Sequence, residues 1–99
     1  MISNFDLVNY FVDGNICGVS NIKMYNGSMH FVDDILYSYD TAIGQYNKKD
    51  GTFIVNTTKY SITTSKHRSY LISALEARKI AYNEVNKVKI GTTNLNANQ

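Results

Sequence analysis

The sequence predicts an α+β domain: a short N-terminal helix, an antiparallel β-meander of four to six strands and a long C-terminal helix packed on the sheet. Three observations support this class. The chain has 99 residues, which suits one small domain. Its middle third alternates polar and apolar residues between short turn motifs, as strands do, and its last third changes to the apolar spacing of a helix.

The first element is predicted to be a short helix that starts after Ser3. Ser3 is a favourable N-cap, and Phe5, Val8 and Val12 then fall on one helical face. Gly14 is the expected end of this helix. A strand over the same residues is the alternative, because Phe, Val and Tyr also suit strands.

The sheet is predicted from runs of alternating residues separated by turn signals. Asn26-Gly27 is a strong hairpin signal, Asp33-Asp34 fits a second turn, and residues 48–51 fit a third. The expected strands cover residues 21–25, 28–32, 35–39, 41–47 and 52–56, with a short edge strand over residues 59–62. Short connections of this kind pair neighbouring strands antiparallel.

The last element is predicted to be a helix over residues 64–88. Its apolar sector contains Leu71, Ala74, Leu75, Ala81, Tyr82, Val85 and Val88. Arg78 falls inside that sector, so its side chain must either extend to solvent or mark an open edge. Gly91 is expected to end the domain, which gives a domain over residues 1–90 and a flexible polar tail over residues 91–99.

Composition and motifs exclude several classes of protein. No apolar run is long enough to span a membrane or to form the core of a signal peptide, which predicts a cytoplasmic protein without a membrane partner. Cys17 has no partner for a disulfide and is interpreted as a small buried hydrophobe. His30 and Asp33 offer half a metal site with no third ligand. No nucleophile elbow or phosphate-binding loop is present, so we expect no enzyme activity, catalytic residue, metal or cofactor.

The two halves of the chain carry opposite charge. Residues 1–50 contain six Asp against three Lys, a net charge of −3. Residues 51–99 contain seven Lys or Arg against two Glu, a net charge of +5. The second half is therefore the candidate for contact with an anionic partner.

A basic segment at the start of the last helix is the main candidate site. Any of Thr63, Thr64 and Ser65 could cap the helix, which would place Lys66, His67 and Arg68 in its first turn, where cations are unfavourable. The same arrangement suits an anion. The candidate anion- or partner-binding residues are Lys59, Tyr60, Thr63, Thr64, Ser65, Lys66, His67 and Arg68.

Two alternatives to anion binding stay open from the sequence. The cations could contact the chain's own carboxylates, at Asp33-Asp34 or Asp40. His67 also falls on the apolar side of the helix, which favours a packed, hydrogen-bonded core histidine over a catalytic one.

Tyrosine is abundant, with eight residues, and five of them fall in the predicted sheet or next to it. Alternation places Tyr37 and Tyr39 on one face, where they could stack nucleobases, anchor a protein interface or belong to the core. We take Tyr37, Tyr39, Arg78 and Lys79 as possible interface residues.

Two stretches resemble a phage-associated domain family of unknown function. They are Tyr-Ser-Tyr-Asp-Thr-Ala-Ile at residues 37–43 and Lys-Tyr-Ser-Ile-Thr-Thr-Ser-Lys-His at residues 59–67. The resemblance implies a phage or prophage accessory protein and supplies no reaction. Small phage proteins without catalytic motifs are often inhibitors of host defence, among them anti-CRISPR proteins.

The resulting functional hypothesis is a phage-encoded protein that inhibits a host protein or ribonucleoprotein complex, such as a CRISPR effector, by covering its surface in the host cytoplasm. A nucleic-acid-binding regulator that contacts phosphates through Lys59, Lys66, Arg68 and the basic C-terminal turn is the first alternative. A small structural or assembly protein is the second, and it predicts a homodimer or larger homo-oligomer, with the Arg78 side of the last helix as the candidate interface.

Overall fold

The computed structural model describes residues 2–89, 91–92 and 94–95. It confirms the α+β class, with two helices and a six-stranded sheet in the strand order β1-β2-β3-β4-β5-β6. The elements are α1 (Asn4–Ile16), β1 (Lys23–Tyr25), β2 (Met29–Val32), β3 (Ile35–Ser38), β4 (Thr41–Asn47), β5 (Thr52–Asn56), α2 (Ile62–Ala77) and β6 (Tyr82–Val85). Strands β1 to β5 form the expected antiparallel meander, whereas β6 pairs parallel to β5.

The N-terminal helix is confirmed, with a different end. The Ser3 hydroxyl accepts a hydrogen bond from the backbone N–H of Asp6, as an N-cap does. The helix does not end at Gly14 but continues to Ile16. Gly14 serves a packing purpose instead, because a Cβ atom at this position would lie 2.9 Å from Ile22 Cδ1.

The second helix begins earlier and ends much earlier than the sequence predicts. Its N-cap is Ser61, whose hydroxyl accepts from the N–H of Thr64, so the predicted caps at residues 63–65 are wrong. Residues 59–61 form a loop and not an edge strand. At the other end, Lys79 adopts a left-handed conformation with φ 56°. The N–H of Ile80 then bonds to the carbonyl of Leu75, and the N–H of Lys79 to that of Glu76, which is a Schellman cap.

The C-terminal half of the predicted long helix is therefore wrong, because residues 82–85 form strand β6. The register pairs Phe53 with Tyr82 and Val55 with Glu84. Helix α2 is the crossover connection that a parallel pair of strands requires. Apolar residues of β6 that fit a helical wheel also fit a short strand beside β5, and only the tertiary contacts distinguish the two.

Both helices cover one face of the sheet, where they enclose the main core. The Phe11 ring packs against the rings of Phe31 and Phe53 at centroid distances of 5.6 and 5.8 Å. The buried members are Leu7, Val8, Phe11, Val12, Met29, Phe31, Leu36, Ile43, Phe53, Val55, Leu71, Ala74 and Leu75.

The opposite face of the sheet carries a smaller apolar cluster over β4, β5 and β6. Its buried members are Ala42, Ile54, Val85, Val88 and Leu95. The N–H of Leu95 donates to Gln45 Oε1 at 2.7 Å. The prediction of a flexible tail from residue 91 is thus wrong at Leu95, while residues 93 and 96–99 lie outside the described residues.

Two further predictions need correction. Cys17 is exposed and not a buried hydrophobe, because it caps the end of α1 at the surface. Arg78 does not mark an open edge, since its guanidinium forms an ion pair with Asp13 at 2.9 Å and donates to Asn9 Oδ1 at 2.6 Å. This contact joins α2 to α1. None of the described helices has the length and apolarity needed to cross a membrane.

Candidate anion-binding site

One of the three hydroxyl groups expected to hold an anion is used within the fold. Thr64 is buried, and its Oγ1 lies 3.1 Å from Ser61 Oγ and 3.4 Å from Ser38 Oγ. Ser65 lies half-buried in the first turn of α2, while Thr63 is exposed. Of the three predicted hydroxyls, Thr63 is therefore the one that faces solvent.

His67 is a packed core residue, as the apolar side of its helix predicted. Only 4% of it is exposed, and its Nδ1 lies 2.6 Å from Ser38 Oγ, with the Tyr39 ring at 5.9 Å. Burial, and secondarily the charge of Lys66, lower the pKa of the His67 imidazole. Ser38 is fully buried, so this Ser–His pair connects β3 to α2 and presents no hydroxyl at the surface.

Three chain segments meet at the end of the sheet where α2 begins. Arg68 donates from Nη1 to the Thr58 carbonyl at 3.4 Å. The N–H of Val88 donates to Thr58 Oγ1 at 2.9 Å, and the Tyr60 hydroxyl donates to the Val88 carbonyl at 2.8 Å. These bonds connect the loop before α2, the second turn of α2 and the segment after β6.

Five cations lie on these three segments. We call them the basic pole: Lys59, Lys66, Arg68, Lys87 and Lys89. The four lysines are exposed, and Arg68 is half-buried. Lys87 and Lys89 flank Val88, whose backbone bonds to Thr58 and Tyr60 place them beside Lys59. The result is one cationic surface built from distant parts of the sequence.

No carboxylate of the described residues forms an ion pair with the basic pole; the ion pair found among these residues joins Arg78 to Asp13, at the other end of α2. The structure therefore contradicts the alternative in which Asp33, Asp34 or Asp40 forms ion pairs with the cations. Because α2 begins at Ile62, Lys66 is its fifth residue and lies beyond the first turn. The unfavourable interaction with the helix dipole is therefore smaller than the sequence suggested.

The four possible interface residues do not lie together. Tyr37 is half-buried and stacks on the His30 ring at a centroid distance of 4.6 Å, and burial and the Asp34 carboxylate raise the pKa of its hydroxyl. Tyr39 is more than half exposed and lies near His67 in the turn between β3 and β4. Arg78 and Lys79 lie at the other end of α2, away from the basic pole.

The sequence pointed to a basic C-terminal turn as a phosphate contact, but it did not place Lys87 and Lys89 beside Lys59, because it continued the last helix to residue 88. The excess of positive charge over residues 51–99 was the available signal, but it gave no position. Among the described residues no group of three or more His, Cys, Asp or Glu side chains is arranged to hold a metal ion.

A family of unknown function, DUF8033, matches residues 7–87 of the chain. The chain belongs to this family. The match begins within α1 and extends to just beyond β6, so it includes most of α1, all of α2 and the whole sheet as well as the two motifs at residues 37–43 and 59–67. The family description names no activity, ligand or partner. No curated protein and no solved structure matches the chain.

Proposed function

We propose that this DUF8033 protein is a nucleic-acid-binding protein that contacts phosphates through the basic pole. The observation that supports this function is the gathering of five cations from three segments at one end of the sheet, without a carboxylate partner among the described residues. Uncompensated lysines are costly to place together, since like charges repel. Phosphates would remove that cost and release counterions on binding.

The proposal is tested by fluorescence anisotropy with labelled nucleic acid over a series of salt concentrations. The variant Lys87→Gln/Lys89→Gln removes two charges from the basic pole. Lys48→Gln/Lys49→Gln is the matched control, because these exposed lysines lie in the turn between β4 and β5, at the opposite end of the sheet. We expect the first variant to reduce the salt slope by about 1.4–1.8, and the control to leave it unchanged.

A slope that falls equally in both double variants would mean that only net charge matters, and it would contradict a localised site. Absence of nucleic-acid binding by the unmodified protein at low salt would overturn the proposal. Arg68 is left unchanged in this test, because its bond to the Thr58 carbonyl also supports the fold.

Inhibition of a host nucleoprotein by surface coverage is the second candidate, and one observation favours it. Ile62, the first residue of α2, is 85% exposed, and Lys66 follows it one turn later on the same side of the helix. An exposed large apolar side chain beside cations is more typical of a protein interface than of a phosphate contact. This second candidate includes the hypotheses that the protein is encoded by a phage and that it acts as an anti-CRISPR protein.

This second candidate is tested with a purified CRISPR effector complex. Ile62→Ser should weaken association and inhibition, whereas Ile16→Ser, at the end of α1, should not. Full effector activity in the presence of micromolar protein, with no association, would refute it. The homo-oligomer hypothesis stays a prediction for light scattering, although the Arg78 side of α2 is occupied by α1.

A further inference from the structure

A row of three aromatic side chains crosses the sheet on the face opposite the helices. The strand register places Tyr25 opposite His30 and His30 opposite Tyr37. Their neighbours Met24, Phe31 and Leu36 belong to the helix-covered core or pack against it. Because successive side chains of a strand point to opposite faces, the aromatic row faces away from both helices.

The outer end of the row, at Tyr25, is not covered by any element of the described chain. The His30 and Tyr37 rings are stacked, with an angle of 9° between their planes, and both residues are half-buried. The Tyr25 ring lies 6.0 Å from His30 and the residue is 69% exposed. A monomer gains little stability from an aromatic side chain left this exposed on an edge strand.

The inner end of the row packs against the same apolar cluster as the segment that carries two lysines of the basic pole. Tyr37 packs against the small apolar cluster that contains Val88, and Val88 lies between Lys87 and Lys89. The row also lies toward the end of β3 that leads to Tyr39, whereas Asp33 and Asp34 lie at the other end of β2 and β3. The inner end of the row therefore adjoins a cationic segment, and the Asp34 carboxylate is also close enough to Tyr37 to raise the pKa of its hydroxyl.

We propose that the aromatic row stacks the bases of a single-stranded nucleic acid whose phosphates are bound by Lys87 and Lys89. This inference rests on the proposed nucleic-acid-binding function and names its substrate class. Single strands expose the faces of their bases, and proteins that bind them combine a cationic track with aromatic platforms. A duplex keeps its bases stacked inside and offers the row nothing to contact.

The test compares a labelled oligothymidylate of about ten nucleotides with a duplex of similar length at one salt concentration. The duplex has the higher charge density, so binding by charge alone would favour it. We expect the single strand to bind more tightly, since only its bases can reach the aromatic row.

Three variants assign that preference to the row. Tyr25→Ala should weaken oligothymidylate binding roughly 5- to 100-fold with the salt slope unchanged, because a stacking contact is lost and no phosphate contact. Tyr25→Phe keeps the ring and should bind within about twofold of the unmodified protein. Tyr10→Ala is the matched control, because Tyr10 is 58% exposed on α1, on the other side of the sheet.

The outcomes separate this inference from the function on which it rests. Salt-dependent binding that favours the duplex, or that Tyr25→Ala leaves unchanged, would overturn the single-strand inference. It would still support nucleic-acid binding through the basic pole. Absence of any binding would overturn both. If Tyr25→Ala instead abolishes self-association measured by sedimentation, and oligothymidylate binding is unaffected, the row is an interface with a second copy and the inference is wrong.

Discussion

The two faces of the sheet differ in how completely the chain covers them. One face is packed under α1 and α2 and encloses a continuous core with Phe11 and Phe53 at its centre. The other face has a small cluster over β4, β5 and β6, and over β1, β2 and β3 it presents the aromatic row. Both described helices pack on one face, which leaves the other face with less cover from the described residues.

This difference separates stability from recognition. Large apolar side chains that are fully buried, such as Phe53, stabilise the fold because they are removed from water. An exposed aromatic side chain such as Tyr25 contributes little to folding and is available for a ligand. Substitutions on the two faces should therefore affect different measurements.

The largest contrast is expected between Phe53→Ala and Tyr25→Ala. Phe53 is fully buried against Phe11 and Tyr46, so its truncation should lower the free energy of unfolding by about 3–5 kcal/mol. Tyr25→Ala should change it by only about 0.5 kcal/mol. Urea denaturation measures both, and a cost for Tyr25→Ala comparable to that of Phe53→Ala would contradict the division between the faces.

Gly44→Ala should produce the next largest effect, through overpacking of the helix-covered face. A Cβ atom at Gly44 would overlap the Cδ2 atom of Leu71, which is itself fully buried in α2. We expect a loss of about 1–3 kcal/mol in unfolding free energy. In a double-mutant cycle the loss should shrink when Leu71 is already Ala, because the overlapping atom is then absent. Equal losses in the two backgrounds would show that Leu71 is not the cause.

Arg78→Ala tests the polar contact that holds the two helices together over their face. Its guanidinium contacts Asp13, Asn9 and the Ala74 carbonyl, but the ion pair is partly exposed to solvent. We expect a loss of about 1 kcal/mol. Lys49→Ala is the control for removal of a cation, and it should leave the unfolding midpoint unchanged. A neutral Arg78→Ala variant would mean that the core alone fixes the helices.

The smallest effect is expected from the titration of His67, which connects β3 to α2. Because the pKa of the folded-state imidazole lies below its ordinary value of 6.5, the unfolded chain binds a proton that the folded chain does not. This contribution to stability is complete above about pH 6.5 and falls as the pH decreases toward the folded-state pKa.

The comparison of the unmodified protein with His67→Gln isolates this effect, since the other titrating groups are common to both chains. The difference in unfolding free energy between the two should decrease between about pH 7.5 and pH 5.5. A difference that stays constant with pH would show that His67 does not titrate differently in the folded chain.

Short-range signals predicted the meander because they act between neighbouring residues. Asn26-Gly27 forms the first hairpin turn, with Gly27 at φ 97°, and residues 48–51 form the turn between β4 and β5. Ser3 caps α1 through a bond to a residue three positions away. Each of these signals is complete within a few residues, so tertiary context does not alter it.

The end of α2 could not be predicted from such signals. Helices that end in a Schellman cap usually have Gly in the left-handed position, and this chain has Lys79 there. The residues that follow have a spacing that suits a helical wheel, yet β5 offers them a strand partner. The helical spacing corresponds to a helix over residues 62–77. Beyond it, pairing with β5 makes residues 82–85 a strand.

The sequence by itself determined the fold class, the five antiparallel strands and their turns, and the excess of positive charge in the second half. Only the tertiary structure decided that β6 lies parallel to β5, that Val88 bonds to Thr58, and that the lysines on either side of it join Lys59 in one surface. The physical reason is separation along the chain: these contacts join residues about thirty positions apart. Local preferences cannot specify such contacts, since they form only when the whole core is packed.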